Sequence, residues 1–440
     1  MLYVLLLFEV VLFLAIYTFG NSGLIAPATF SIFVITVATA FACIGNTMWN
    51  LPFSSQAAVY IIFGLIVMLF AQIAARYLNG NRLYRRQYMT EHEEHPNTRI
   101  DIDMWKVRLV AILAVILTML YILDIVRAGR ALGASGLQVI GTVKSSDKVG
   151  TNKIIRQGIK FIMAASFVDG YILVHNRATE WKKKDWWYAV SIVCACVCSV
   201  FTGVRTEILR VVFSLFVYFY VQLKVKRDWK KGALQKILKR GMPLVVILTI
   251  IFTNMKNFIK TVDLPITTAF SSFQYIAYYI GSPILVYGVK ENTGFATYKG
   301  THFGELIFNS IWQFGKSHGW VEGTLLQGSA NVYISRQSRV TGNVDSIFGI
   351  SMIDFGFVGM LIFIFILYFL LSYYYYKRVY RKTNESLCHL DIIKYAFIFY
   401  IPAMAYYTSV ADEFITVYYI ITFILMYLIY KFYLKYKIKF

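Results

Sequence analysis

Residues 107–125 read VRLVAILAVILTMLYILDI. Wound as a helix rising about 1.5 Å per residue, such a run is long enough to cross the ~30 Å hydrocarbon core of a bilayer. It is too long and too uniformly apolar for an ordinary soluble core. Working outward, comparable runs occupy 2–19, 24–44 and 57–77 before it, and 159–174, 186–201, 206–223, 242–258, 353–373, 392–410 and 414–430 after it. The predicted fold class is therefore all-α, a polytopic transmembrane helical bundle of about 11 spans (range 10–12) forming a single integral membrane domain over residues 1–440. Composition agrees: 58% of residues are hydrophobic and only 15% charged, where soluble domains carry roughly 25%.

A net charge of +21 raises the question of nucleic acid. The basic residues fall in short blocks between apolar runs, without zinc spacing, a glycine-rich phosphate loop or an RNA-binding aromatic signature, so no nucleic-acid partner is expected. The first run lacks a basic leader and is followed almost at once by another, which reads as a retained span. Cys194, Cys196 and Cys198 alternate along one apolar helix and splay over different faces, giving neither a disulfide framework nor a metal site.

The heaviest basic blocks lie at 76–108, 177–184, 224–240, 377–394 and 431–439. Two spans separate each from the next, so all can share one face, which the positive-inside rule assigns to the cytoplasm. Loops 78–104 and 224–240 are then cytoplasmic, as is the C-terminus, and eleven spans put the N-terminus outside. Loops 127–158 and 257–351 fall on the external face. The second is too long to be a plain connector. It is rich in aromatics, Tyr279 and Tyr333 among them, and is expected to form a partly helical cap. Its aromatics read either as an interfacial belt or as sugar-stacking platforms.

Chemistry is expected on that face. Arg127 and Arg130, spaced i, i+3 past the fourth span, share a face if the helix continues. Arg156 and Lys160 stand at the mouth of the fifth span. Gly203-Val204-Arg205-Thr206-Glu207 makes a short turn opening the seventh. There glycine permits the tight turn, and free helix N–H groups beside a guanidinium suit a diphosphate. Arg210 lies deeper, where a central arginine costs about 2.5–3.5 kcal/mol and needs a partner or a wet cavity. A second cluster precedes the ninth span: Asn331-Val332-Tyr333, Arg336, Arg339, then Asp354. Asp354 is either a helix-start carboxylate or functional. His302, Glu305, His318 and Glu322 can move protons on the same face. No HExxH motif or acidic metal constellation occurs, so no metal or other cofactor is expected.

These strings resemble the Wzy-type repeat-unit polymerases of bacterial O-antigens and capsules, relatives of the O-antigen ligases. The resemblance rests on Gly203-Val204-Arg205-Thr206-Glu207 opening a span, on Asn331-Val332-Tyr333 followed by Asp354-Phe355-Gly356-Phe357-Val358-Gly359, and on the large outer loop between them. Arg130 and Gly141, ten residues between them, also resemble an Arg-x10-Gly pattern of some polymerases. The resemblance implies a membrane glycosyltransferase of the GT-C kind in the bacterial plasma (inner) membrane. Its expected chemistry is metal-independent and inverting, joining undecaprenyl-diphosphate-linked oligosaccharide repeats on the periplasmic or extracellular face. Arg205, Asp354 and Glu207 are the expected catalytic residues. Arg127, Arg130, Arg210, Arg336, Arg339, Tyr279 and Tyr333 are expected to hold diphosphate and glycan. Expected partners are the lipid-linked glycans and membrane lipids, with a chain-length regulator and a flippase of the same pathway as further candidates. A lipid-linked oligosaccharide flippase and an O-antigen ligase-like transferase are the alternative functions.

Overall fold

The computed structural model describes residues 1–19, 23–49, 53–87, 99–136, 138–145, 152–203, 205–226, 272–292, 302–322, 332–335, 340–342, 344–381 and 388–434. Among these, eight helices are long and apolar enough to cross a membrane, and a shorter apolar helix covers Leu2–Thr18. The chain is a multi-pass, essentially all-helical membrane protein. Its contacts group it into two compact units, each assembled from segments distant in sequence.

Unit 1 comprises Met1–Glu93, Leu264–Tyr380 and Ile398–Thr416. It contains α1 (Leu2–Phe19), α2 (Pro27–Trp49), α3 (Ser55–Gln87), α9 (Ser272–Asn292), α10 (Asn309–Ser317), α11 (Ile347–Arg378) and α13 (Tyr400–Ala403). A short antiparallel ladder of β1 (Val332–Ser335) and β2 (Val340–Gly342) completes it. Backbone groups inside lipid must be satisfied by protein, and polar side chains on neighbouring helices do this. Gln72 of α3 accepts from the first amides of α2, Ala28 at 2.9 Å and Thr29 at 3.3 Å, and donates to Thr29 Oγ1 at 3.0 Å. Ser31 of α2 donates to the Pro402 carbonyl at 2.9 Å and shares a hydrogen bond with the Tyr368 hydroxyl at 2.6 Å, tying α2 to α11 and α13.

Three parts of unit 1 differ from the hydropathy reading. The stretch 257–351 contains α9, whose Ile284, Leu285, Val286 and Tyr287 lie in the core of the unit. The stretch 392–410 is not one span. It is broken into α12 (His389–Ile398) and α13, with turns after Ala403. Pro402 has no N–H to bond back one turn, the chain leaves the helix after Ala403, and the Ala405 carbonyl accepts the first amide of α11, from Ile347, at 3.0 Å. The ninth predicted span is longer than 353–373, running over Ile347–Arg378, and it kinks where Gly356 adopts φ 67°. A side chain there would be strained. The predicted span 242–258 lies outside the described residues.

Unit 2 comprises Glu94–Asp263, Arg381–Phe397 and Val417–Phe440. It holds α4 (Met104–Ala131), α5 (Gln138–Ser145), α6 (Lys153–Ala178), α7 (Trp187–Phe201), α8 (Arg205–Val225), α12 and α14 (Val417–Leu434). Helix α6 is central, touching α4, α7, α8 and α14, and Phe167 to Asp169 in its middle are fully buried. Asp169 accepts hydrogen bonds from Ser191 of α7 and, at 2.9 Å, Tyr433 of α14.

At one end of this unit Arg99 fastens the entry to α4. Its guanidinium donates to both carboxylate oxygens of buried Asp185, at 2.8 and 2.6 Å, to Asp101 at 2.8 Å, and to the Glu180 carbonyl at 2.7 Å. The bond from Arg99 holds the Asp101 carboxyl below the usual carboxylate range. Arg99→Ala strands a buried carboxylate, and the expected destabilisation is about 3–5 kcal/mol. Arg99→Lys recovers only part of it, because an ammonium cannot reproduce the fork. Thermal unfolding in detergent checks both; a wild-type melting temperature for Arg99→Ala would contradict the latch.

Candidate functional site

The other end of unit 2 collects the C-terminus of α4 with the N-termini of α6, α8 and α14. Helix α4 continues through Ala131, so Arg127 and Arg130 share a turn, and both are exposed. The main chain then closes on itself, the Gly133 amide donating to the Arg130 carbonyl at 2.9 Å. Asp124 accepts the Asn152 amide at 2.7 Å, and Asn152 caps α6 by accepting from Ile154 at 2.9 Å. Asp124 is thereby committed to seating α6. Arg156 is exposed one turn on, whereas Lys160 is buried with its ammonium 5.5 Å from the centre of the Tyr418 ring.

Gly203 closes the turn between α7 and α8 with φ 66°, as the sequence required. Arg205 opens α8; its side chain lies outside the described residues. Two turns of α8 then carry the local chemistry. The Tyr419 hydroxyl donates to Glu207 Oε1. Arg210, only 1% exposed, sets its guanidinium 4.1 Å from the centre of the Tyr419 ring, with Nε 3.6 Å from Glu207 Oε2. The i, i+3 spacing makes this pairing possible. The partner that an arginine this deep demands is thus a carboxylate with a tyrosine. Glu207 Oε2 is buried and, among the described residues, makes no hydrogen bond. Tyr418 and Tyr419 were not among the expected site residues. They stand more than 200 positions from Glu207 and Arg210, and only the fold brings α14 to them.

Unit 1 places the other expected residues. Asp354 is half-buried, two residues before the break at Gly356. Its carboxylate accepts from the Leu306 amide at 3.0 and 3.1 Å and from the Ile307 amide at 2.7 Å, securing the chain before α10 to α11. Glu305, fully buried, accepts the His302 amide at 3.2 Å. Tyr279 is half-buried on α9, its ring edge-on to Tyr278 at 5.5 Å. Tyr333 pairs with Thr341 in the β ladder, its side chain outside the described residues. Arg336 and Arg339 are also outside them. A buried ion pair unforeseen in the sequence joins Lys290 of α9 to Asp345 at 2.6 Å, 55 residues apart.

A carboxylate held by an arginine and a tyrosine can take a proton from a neighbouring hydroxyl, and the cations at the same end of the unit can bind an anionic group. In comparison with known proteins, the family model described as O-antigen polymerase aligns with residues 158–399. No curated protein and no solved structure matches the chain. The matched region covers more than half of the sequence and includes Lys160, Glu207, Arg210 and Asp354. The chain belongs to the O-antigen polymerase family.

Proposed function

We propose that this protein lengthens a polysaccharide by joining undecaprenyl-diphosphate-linked oligosaccharide repeats, through inverting, metal-independent glycosyl transfer of the GT-C kind at the outer face of the plasma membrane. The observation that carries the reading is the Glu207–Arg210–Tyr419 arrangement at the end of unit 2 where Arg127, Arg130 and Arg156 also stand. In the reaction, an acceptor hydroxyl oxygen attacks the anomeric carbon and the bond from that carbon to the diphosphate breaks. The diphosphate leaves with the bonding pair, and the hydroxyl proton passes to a carboxylate. Glu207 is that carboxylate, using the oxygen that Tyr419 leaves unengaged. Arg210 is a positioning residue: its Nε lies 3.6 Å from Glu207 Oε2 and fixes that side chain. Arg205, with the first amides of α8, takes charge developing on the diphosphate. The exposed arginines of α4 and α6 draw in the anionic donor.

Asp354 has a positioning role in this scheme, because its oxygens are engaged by backbone amides. The C-terminus is cytoplasmic, and a flippase and a chain-length regulator supply and limit the substrate. Polymer-length analysis of Arg205→Lys at wild-type expression tests the scheme. Chains should collapse toward single repeats, since lysine cannot offer two parallel N–H donors. Unaltered long chains would remove Arg205 from the mechanism.

A further inference from the structure

The segment from His302 to Glu322 in unit 1 presents large apolar side chains away from the protein. Phe303 and Trp320 are each 73% exposed, with Phe314 at 48% and Ile311 at 47%. Ile311 and Phe314 lie on one side of α10, whereas Gly315 is buried. The exposed rings are held together: His318 lies 4.2 Å from Phe314 and 5.4 Å from Trp320, and Phe314 lies 5.8 Å from Trp320, centre to centre.

The segment is also braced from behind. Trp312 donates to the Phe303 carbonyl at 3.2 Å and stacks on His302 at 4.8 Å. Asp354 and Glu305 hold the backbone amides of 302, 306 and 307. A braced surface of this kind keeps its apolar groups outward by construction, and water is a poor medium for them.

We propose that residues 302–322 are a membrane-docking element, seated in the headgroup layer of the leaflet at the N-terminal end of α11, with Phe303, Ile311, Phe314 and Trp320 entering the acyl boundary. Two observations commit the surface to lipid. First, it is continuous with a side chain series that faces the bilayer. Phe303 meets Phe355 at 4.7 Å, and Phe355 meets Phe363 at 5.6 Å on α11. Beside them Val358 is 67% and Ile362 55% exposed. Second, the patch mixes an aliphatic side chain with Phe and Trp, while exposed Lys316, Gln313 and Ser317 flank it at headgroup level. Asp354 thus links a membrane-surface anchor to the kinked start of α11.

Site-directed labelling of the full chain tests this. Cys388 is the exposed cysteine among the five, so Cys388→Ser provides the background for Phe314→Cys, Trp320→Cys and a control, Glu322→Cys. Each is labelled with a nitroxide and reconstituted in phosphatidylcholine/phosphatidylglycerol nanodiscs. Labels at 314 and 320 should relax at least several-fold more with oxygen than with an aqueous nickel chelate, while the label at 322 shows the reverse. Chelate-dominated relaxation at 314 and 320 would overturn the proposal, because a glycan- or protein-binding surface is bare and wet in the purified chain. As a second readout without cysteine, brominated lipids should quench wild-type fluorescence more than that of Trp320→Phe. Equal quenching would also count against docking.

Discussion

Arg210→Met is expected to lower both the stability of unit 2 and polymer formation. The guanidinium is only 1% exposed and faces Glu207 and Tyr419. Without it, the Glu207 carboxylate keeps, among the described residues, only the Tyr419 hydroxyl, and stranding a buried charge costs about 3–5 kcal/mol. The double variant Arg210→Met/Glu207→Gln should regain most of that stability, since a neutral amide still accepts from Tyr419. It should not regain polymer, because an amide cannot take the acceptor proton. A loss on the order of 100-fold in chain extension corresponds to about 2.7 kcal/mol at 1.36 kcal/mol per tenfold. Melting temperature and repeat-unit ladders, compared across the single and double variants, separate the structural part from the chemical part. If the double variant polymerised normally, Glu207 would not be the proton acceptor.

Gly281→Val is expected to prevent unit 1 from assembling. A Cβ at Gly281 would lie 2.6 Å from the Ala42 nitrogen and 2.7 Å from the Phe41 carbonyl carbon. These are backbone atoms of α2, so no rotamer change relieves the clash. Even Gly281→Ala should cost about 1–3 kcal/mol, the usual range for overpacking, and valine more. Gly170→Ala is the control, because there the nearest atom, at 3.1 Å, is the tip of the Leu215 side chain. Yield and melting temperature in detergent decide. Normal assembly of Gly281→Val would mean that α9 does not pack on α2 and that 257–351 is the surface loop its hydropathy suggested.

That contrast shows what the sequence could carry. Spans facing lipid on one side and protein on the other announce themselves by hydropathy, and most of the predicted runs recur as helices. Helix α9 escapes because Gln274, its tyrosines, Pro283, Lys290 and Glu291 dilute its apolar character. Its burial is against α2 and the core of unit 1, and hydropathy responds to lipid rather than to neighbouring helices. The break near Pro402 was hidden because apolar residues continue on both sides of it. Among the site residues, Glu207 and Arg210 were named from the sequence, but their pairing went undrawn although their i, i+3 spacing on a helix allows it. Tyr419 was not legible, since nothing local ties α14 to α8. Asp354 could be read as important but not as a brace, because its partners are amides of a turn 47 and 48 residues earlier. Lys290 and Asp345 were illegible for the same reason.

The central claim is that protein cations and Glu207, without a divalent ion, drive transfer from a lipid diphosphate. The direct measurement is chain extension by the purified protein in nanodiscs, given undecaprenyl-diphosphate-linked repeats and excess EDTA. A ladder of growing products with wild-type chain and none with Glu207→Gln is the predicted result. A reaction that stops with EDTA and returns with added magnesium or manganese, or one indifferent to Glu207→Gln, would contradict it.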